Sequence, residues 1–281
     1  MDVLLTGAFG RVGTAVIDGL SDREMYDFTY LDEKAHPEYE SIVADVTDYE
    51  SIRPAFETAD AVVHLAGYPT TDGTWSEILR NNVIGTYNVL EAAADAEVER
   101  FVFASTNHVV GMYELEHSPE IYAPDFDLTV DHTAPVRPDS YYGVSKLFGE
   151  GLGRYYVEHP EHDHPHRFYA LRICGVRHAE YDHPYGDAER GVEDGRFERG
   201  SEAYDRAVAR RKAMWTSRRD LAQFVECCLS DDSVEFDVFY VVSDNDRRWF
   251  DLDHARDVLG YEPRDDAEEW DAPPHDESRP D

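Results

Sequence analysis

The sequence predicts an α/β fold with a doubly wound parallel sheet. Apolar runs of strand length, including 2–6, 60–65 and 100–105, alternate along the chain with segments of helix length. Strands that are separated by helices run parallel, and the helices then cover both faces of the sheet. Because such sheets bind ligands at the carboxyl ends of their strands, functional residues are expected where these runs end.

The glycine turn after the first apolar run predicts a Rossmann-type dinucleotide site. Gly7, Gly10 and Gly13 follow the run directly, and apolar residues at helical spacing begin at Val12. Glycines allow the tight turn and the close approach of a pyrophosphate, which binds at the helix N-terminus. A second strand ends at Asp32, where an acid accepts hydrogen bonds from the adenosine ribose and repels a 2′-phosphate. The sequence therefore predicts NAD rather than NADP.

Tyr142 and Lys146 form the most specific chemical pair in the chain. They stand four residues apart within 140–150, which places both side chains on one helix face. A lysine ammonium one turn from a phenol favours the phenolate, so Tyr142 is predicted to act as a general base. The spacing alone also occurs in surface helix pairs, and the interpretation therefore depends on the motifs around it.

The charge of the chain excludes some classes of partner. With 60 acidic and 26 basic residues, the formal charge is −34, so neither nucleic acid nor a membrane is expected as a partner. The acidic, lysine-poor composition suits a halophilic protein in a cytoplasm of molar salt, and no apolar run is long enough to cross a bilayer. We expect a cytoplasmic protein.

No metal site is predicted. Cys174 is isolated and Cys227 and Cys228 are adjacent, which fits neither a disulfide framework nor a zinc motif. Histidines and acids crowd 159–166, but the prolines and the lack of helical spacing favour a solvated turn.

Three regions are predicted. Residues 1–175 form a dinucleotide-binding core that ends after the Tyr142 helix and one further strand. Within it we expect a long helix from Trp75 to Asp95 and, because of its prolines, a loop-like stretch at 109–139. Residues 176–264 form a small C-terminal lobe with a long loop insertion at 176–209, and a strand and helices that partly return to the core. Residues 265–281 form an acidic tail, which is expected to be disordered.

Several ordered motifs give the chain a family resemblance. They are Thr6-Gly7-x-x-Gly10-x-x-Gly13, Asp32, Asp45, Leu65-Ala66-Gly67, Asn82-x-x-Gly85-Thr86, Phe103-Ala-Ser-Thr106 and Tyr142-x-x-x-Lys146. With these the chain resembles the extended short-chain dehydrogenase/reductase family, which includes NAD-dependent epimerases and dehydratases. Segments 103–111, 137–146, 213–215 and 243–249 are most similar to uronate dehydrogenases and to the NAD-dependent glucose-6-phosphate dehydrogenases of haloarchaea.

The resemblance implies roles for individual residues. Tyr142, Lys146 and Thr106 would be catalytic, with Ser105 as a possible substitute for Thr106. Asn107, His108 and Arg210 would bind the substrate, and Arg211 or Lys212 could supply the positive charge instead of Arg210. The predicted cofactor-binding residues are Gly7, Gly10, Arg11, Val12, Gly13, Asp32, Asp45, Val46, Leu65, Ala66, Gly67, Asn82, Tyr142, Lys146 and Ile173.

The implied reaction is oxidation of an aldose derivative at C1 to the lactone, with hydride passing to NAD. The sugar is expected to be anionic, a phosphate or a uronate, although Tyr68-Pro69-Thr70-Thr71 also favours a sugar phosphate or a neutral aldose over a uronate. A homo-oligomer is expected. The alternatives are a nucleotide-sugar 4-epimerase or dehydratase, and a non-catalytic NAD-sensing regulator with the same fold.

The charge of the chain predicts that KCl stabilises the protein. Excess carboxylates repel one another in dilute buffer, and salt screens this repulsion. The melting temperature is expected to rise continuously from dilute buffer to multimolar KCl. A melting temperature that does not depend on salt would contradict the prediction.

Overall fold

A seven-stranded parallel sheet forms the centre of residues 1–274, the part of the chain that the computed structural model describes. Every neighbouring pair of strands is parallel, in the order β3-β2-β1-β4-β5-β6-β7. The predicted fold class is confirmed. The strands are β1 (Asp2–Thr6), β2 (Asp27–Asp32), β3 (Ile42–Val43), β4 (Ala61–His64), β5 (Arg100–Thr106), β6 (Arg167–Ile173) and β7 (Phe236–Val241).

Helices cover both faces of this sheet, as the alternating pattern predicts. They are α1 (Arg11–Leu20), α2 (Tyr49–Ile52), α3 (Trp75–Ile78), α4 (Gly85–Asp95), α5 (Gly111–His117), α6 (Tyr141–Glu158), α7 (Gly186–Glu193), α8 (Glu202–Met214), α9 (Arg218–Ser230) and α10 (Asp253–Leu259). A π-helical segment, Leu79–Ile84, joins α3 to α4, so the helix expected from Trp75 to Asp95 changes its hydrogen-bonding pattern on the way.

Alternate residues of the strands pack into two separate hydrophobic cores. Val3 and Leu5 of β1 face one core, which α1 and α9 complete, whereas Leu4 faces the other, which packs beneath α4 and α6. In the first core, α9 of the C-terminal lobe packs directly on α1, and a side chain at Gly19 would collide with Ala222. The lobe is therefore anchored to the first helix of the core.

Two segments expected to be loops contain helices. The stretch 109–139 includes α5, and the insertion 176–209 includes α7 and the first half of α8. In α5 and α7 the polar residues hold buried ion pairs, and the apolar periodicity that signals a helix is weak. The insertion is a two-helix cover beside the carboxyl ends of the strands.

The expected tail begins later than residue 265. Asp265 accepts hydrogen bonds from the Ser217 hydroxyl at 2.6 Å and from Nε of Arg219 at 3.2 Å. Ala267–Glu269 forms a turn of 3₁₀ helix, and the Trp270 carbonyl accepts a bond from Lys212. These bonds attach residues 265–270 to the lobe, and the last part of the expected tail, 275–281, lies outside the described residues. Nowhere in 1–274 does a helix combine the length and apolar character required to cross a bilayer.

Candidate active site

A cavity of about 860 Å³ lies at the carboxyl ends of the central strands. The glycine turn and the end of β2 form one half of its wall, and β5, α6 and α8 contribute to the other half. Of the site residues predicted from sequence, those that line it are Gly7, Gly10, Arg11, Val12, Gly13, Asp32, Asp45, Val46, Leu65, Ala66, Gly67, Thr106, Asn107, His108, Tyr142, Lys146, Ile173 and Arg210.

The glycine turn has the shape that a dinucleotide requires. Gly7 has a φ of 68°, and a Cβ there would stand 2.6 Å from the backbone nitrogen of Ala66. A Cβ on Gly13 would strike the carbonyl oxygen of Ala8. The backbone of the glycine turn is therefore closely packed against neighbouring backbone at the N-terminus of α1. This leaves room at that N-terminus for a pyrophosphate.

Acidic residues mark the adenosine half of the cavity. Asp32 is held by the backbone N–H groups of Phe9 and Lys34, at 3.0 and 3.3 Å, at the end of β2. Asp45 pairs with Arg80 at 3.1 Å. Although burial opposes it, hydrogen bonds from Thr47 and the charge of Arg80 hold the pKa of Asp45 below its ordinary value. Asp45 is thus ionised at neutral pH, and both carboxylates are held in place by hydrogen bonds.

Asn82 differs from the other predicted cofactor residues because it does not line the cavity. Its amide nitrogen donates to the Tyr68 carbonyl and the Ser145 hydroxyl, each at 3.1 Å, and its oxygen accepts from Tyr68 N–H at 2.6 Å. Asn82 therefore fastens the turn after Gly67 to α6. Its contribution to the cofactor site is support of the wall.

Tyr142 and Lys146 meet at the centre of the cavity on α6, which begins after Ser140. The Ser140 hydroxyl accepts the Gly143 N–H at 3.1 Å and caps the helix. Nζ of Lys146 lies 5.9 Å from the centroid of the Tyr142 ring and 5.0 Å from that of Phe103. Burial lowers the pKa of Lys146 to about 8, and no carboxylate among residues 1–274 forms an ion pair with it.

The pKa of Tyr142 differs from the sequence-based expectation. Burial raises it, while a hydrogen bond with Thr106 and the charge of Arg11 lower it less strongly. The protein alone therefore does not lower the pKa of this phenol, and Arg11 is the cation that acts on it. This effect of Arg11 could not be deduced from its place in the glycine turn.

Thr106, and not Ser105, is the hydroxyl beside Tyr142. Ser105 donates to the buried carboxylate of Glu150 at 2.6 Å, and Glu150 in turn pairs with Arg172. Thr106 accepts the backbone N–H of His108 at 3.2 Å, which leaves its own hydrogen available to the cavity. Ser105 also lines the cavity, but its hydroxyl donates to Glu150, so Thr106 stays the predicted catalytic hydroxyl.

The predicted sugar-binding pair Asn107 and His108 is oriented by residues that sequence reasoning missed. His108 Nδ1 donates to Asp139 at 2.7 Å, so its other nitrogen can accept a hydrogen bond from a sugar hydroxyl. Although burial opposes it, this contact holds the pKa of Asp139 below its ordinary value. The amide of Asn107 lies 3.7 Å from the sulfur of Met214, a weak acceptor. The position of Asp139, three residues before Tyr142, is the signal in the sequence that could have pointed to its role beside His108.

Arginines line the remaining wall and pair with two carboxylates, the buried Glu114 and the partly buried Asp187. Arg210 pairs with Glu114, with Nε to Oε1 at 2.6 Å and Nη2 to Oε2 at 3.1 Å. Asp187 of α7 pairs with both Arg177 and Arg211, which hold its pKa far below the ordinary range despite its burial. Neither carboxylate was singled out from the sequence, because each lies in a segment expected to be a loop.

Lys212 does not take part in this wall. Its Nζ donates to the Trp270 carbonyl at 2.9 Å and lies 3.4 Å from Glu268. The suggested alternative to Arg210 is therefore reduced to Arg211, which lines the cavity.

The histidine-rich turn lies away from the cavity. His166 bonds to Glu99 at 2.7 Å, and His164 lies 3.7 Å from the same carboxylate. Their ligand atoms lie within 4.8 Å of one another, close enough to hold an ion, at a largely exposed position. The absence of a metal site stays a prediction.

Comparison with known proteins agrees with this geometry. The model of the NAD-dependent epimerase/dehydratase family matches residues 3–180. An NAD-dependent glucose-6-phosphate dehydrogenase from Haloferax volcanii is 40% identical over 278 residues, covering 95% of each chain. An L-arabinose 1-dehydrogenase (NAD(P)(+)) from the same organism is 36% identical, covering 94% of this chain and 97% of the relative. The solved structure of a uronate dehydrogenase variant from Agrobacterium tumefaciens, complexed with NAD, has a TM-score of 0.73 at 26% identity, covering 99% of this chain and 92% of that chain.

The chain belongs to the NAD-dependent epimerase/dehydratase family. Its predicted family and NAD as its cofactor are confirmed. The prediction of an NAD-dependent sugar dehydrogenase is confirmed as well.

The unpaired ammonium of Lys146 predicts that removing it stabilises the protein without NAD. At neutral pH the folded chain holds this charge in a buried site, at a cost that the unfolded chain does not carry. Lys146→Met is therefore expected to raise the melting temperature by several degrees, because ~1 kcal/mol shifts it by about 2–4 °C. The gain in melting temperature is largest below pH 8 and shrinks towards pH 10.5. In this range Lys146 is already deprotonated in the folded wild type but still protonated in the unfolded chain.

Thermal melts of both proteins between pH 6 and 10 check this prediction. Lys34→Met, at an exposed lysine, is the control and should change little. A melting temperature for Lys146→Met at or below that of the wild type would contradict it.

Proposed function

We propose that the chain oxidises an anionic aldose derivative, a sugar phosphate or a hexuronate, at C1 to the lactone. The observation that carries this is the arrangement of one cavity. The end of β5 and the start of α6 bring together Thr106, Tyr142 and Lys146 at the border of the dinucleotide half of the cavity. Beside them lies the part of the cavity lined by Asn107 and His108, which we call the sugar space. The relatives that match nearly the whole chain are named as sugar dehydrogenases, which supports the same reaction.

The residues act in a simple order. Tyr142 accepts the proton of the C1 hydroxyl as the C1 hydride leaves and the C=O bond of the lactone forms. NAD, when bound, supplies the hydride acceptor. Thr106 donates a hydrogen bond to the reacting oxygen, because its own oxygen already accepts the His108 N–H. The charge of Arg11 favours the tyrosinate. Lys146 would hold the ribose of the nicotinamide, and His108 and Asn107 orient the sugar ring.

The charge distribution of the cavity favours an anionic sugar. The described carboxylates that line it all follow β2 and β3, and they are Asp32, Glu33 and Asp45. The cations beyond them are Arg11 at the start of α1 and, in the catalytic half, Lys146, Arg177, Arg210 and Arg211. Glu114 and Asp187 neutralise only part of this charge, and the pyrophosphate of a bound dinucleotide another part. An anionic sugar suits the remainder in a chain that is otherwise strongly acidic.

Two alternatives have less support. A nucleotide-sugar epimerase or dehydratase would need a site for a second nucleotide diphosphate, whereas α7 and α8 cover the region that borders the sugar space. A regulator without catalysis would not require the placement of Thr106 against Tyr142. A neutral aldose is a stronger competitor, because one relative is named as an L-arabinose dehydrogenase.

The function is tested by measuring NADH from glucose 6-phosphate, hexuronates and neutral aldoses in multimolar KCl, with NADP as the alternative cofactor. Asp32 predicts a higher kcat/KM with NAD. Tyr142→Phe is expected to lower kcat by about 100-fold or more, since it removes only the proton acceptor. Tyr141→Phe, at the exposed neighbour, is the control. Near-wild-type turnover by Tyr142→Phe, or no NADH from any sugar, would refute the proposal.

We also propose that the protein is a homo-oligomer that associates through α3, α4 and α6. These helices, with the π-helical segment between α3 and α4, expose apolar side chains, and the ring centroids of Trp75 on α3 and Tyr141 on α6 lie 5.5 Å apart. Gly151 lies on α6 with open space above it, so a helix of a second copy can approach closely. The exposed apolar residues of these elements are Trp75, Ile84, Tyr87, Tyr141, Val144, Phe148 and Tyr155. Such a surface needs a partner in salt that strengthens apolar association.

Phe148→Asp is expected to convert the oligomer to a monomer, because a charge in an apolar interface is costly to bury. Light scattering after size exclusion at high KCl measures the change. Leu115→Asp is the control, since Leu115 is an exposed apolar residue on α5. A wild type that is already monomeric would contradict the proposal.

The acidic composition of the chain and the proposed reaction together support a cytoplasmic location of the protein in a cell with a high salt concentration. The dinucleotide and sugar substrates of such a reaction are cytoplasmic metabolites. Activity that increases with KCl would agree with this location.

A further inference from the structure

A buried carboxylate on α5 controls the orientation of the arginine that faces the sugar space. Glu114 is almost completely buried, and its two oxygens accept bonds from Nε and Nη2 of Arg210, 96 residues away in sequence. Arg210 lines the cavity, whereas Glu114 stands behind it. The pair therefore joins a helix that follows β5 to the helix that covers the catalytic residues.

A second contact fixes the carboxylate itself. The Tyr122 hydroxyl donates to Oε1 of Glu114 at 2.5 Å, and the Ser118 hydroxyl donates to Tyr122 at 3.2 Å. Burial and the bond with Glu114 raise the pKa of Tyr122 to about 12, so the phenol remains a donor at any working pH. Glu114 can therefore rotate little without breaking bonds to groups on both sides.

The guanidinium geometry then determines what Arg210 offers the cavity. The guanidinium is planar, with five donors in a rigid fork, and Glu114 occupies the Nε and Nη2 edge. Within residues 1–274, Nη1 has no acceptor at hydrogen-bond distance. Its two N–H groups and the second N–H of Nη2 are the three donors that remain for a carboxylate or phosphate in the sugar space.

We propose that Glu114 is a positioning residue that fixes Arg210 for the anionic group of the sugar. This inference rests on the proposed function and adds the determinant of its substrate specificity. Glu114 does not touch the substrate. Its carboxylate sets the angle of the guanidinium, so that the Nη1 donors are oriented before the sugar binds and less freedom is lost on binding.

A Glu114 that served only as a counter-ion for Arg210 would have the opposite effect on the binding of an anionic sugar. If Glu114 only neutralised Arg210, removing its charge would strengthen the binding of an anion. If it positions Arg210, removing its charge weakens binding, because the guanidinium can turn away from the sugar. The sign of the change therefore distinguishes the two roles.

The test is Glu114→Gln, which keeps the size of the side chain and loses one charged acceptor. For the anionic sugar, KM is expected to rise about tenfold with kcat nearly unchanged, and the values for a neutral aldose should stay close to wild type. Glu116→Gln is the matched control, since Glu116 is on the same helix but pairs with Arg137 in an exposed ion pair. In Arg210→Ala, adding Glu114→Gln should cause no further loss.

Tyr122→Phe gives a second variant in case Glu114→Gln does not fold. It leaves the ion pair in place and removes one support of Glu114, so a smaller rise of KM for the anionic sugar is expected. An unchanged or lower KM in both variants overturns the proposal. An equal loss for the neutral aldose does the same, since it would mean that Glu114 only supports the fold.

Failure of the proposed function has a different signature. In that case the wild type forms no NADH from any sugar, and the rise in melting temperature with glucose 6-phosphate or glucuronate, measured with NAD present, replaces the kinetic readout. A rise in the wild type that Glu114→Gln abolishes and Glu116→Gln retains supports the positioning role. No rise in the wild type, or an equal rise in Glu114→Gln, overturns it.

Discussion

The structure depends on keeping one ammonium group buried without a neutralising carboxylate. Lys146 lies beneath the centre of the cavity, where burial lowers its pKa to about 8, although the chain carries 60 acidic residues. Nearby carboxylates are bound elsewhere, as Glu150 is by Arg172 and Asp139 is by His108. These pairs leave the charge of Lys146 free to act on a dinucleotide. The cost in stability is the kind that functional sites carry.

The pairing of charges also divides the cavity into two electrostatic halves. Asp32 and Asp45 are fixed at the edge formed by β2 and β3, whereas Arg177 and Arg211 hold Asp187 on the other side. The first half suits the hydroxyls of an unphosphorylated ribose, and the second suits anions. A single cavity can thereby orient a dinucleotide along its length. Its end beside α8 is left for the sugar.

Sequence was sufficient where function depends on neighbours in the chain. The turn from Gly7 predicted the class of cofactor, and the spacing of Tyr142 and Lys146 predicted that both lie on one helix face, because a strand–turn–helix and a helix fix those distances locally. It was insufficient where partners are far apart, as for Glu114 and Arg210. Polar residues that form buried pairs resemble loop residues in sequence, so α5 and α7 were expected to be loops. The sequence also assigned Asn82 to the cofactor, although its bonds fasten the turn after Gly67.

The same long-range pairs explain how a strongly acidic protein keeps a specific site in molar salt. Salt at that concentration screens exposed charges over only ~3 Å, which relieves repulsion across the surface. Partly buried pairs are screened less, so Glu114 with Arg210 and Asp187 with Arg211 keep more of their strength. Glu114 with Arg210 connects the cover formed by α7 and α8 to α5, and Asp187 with Arg211 joins the two helices of the cover. We therefore expect high salt to stabilise the fold as a whole and to change little the interactions that shape the sugar end of the cavity.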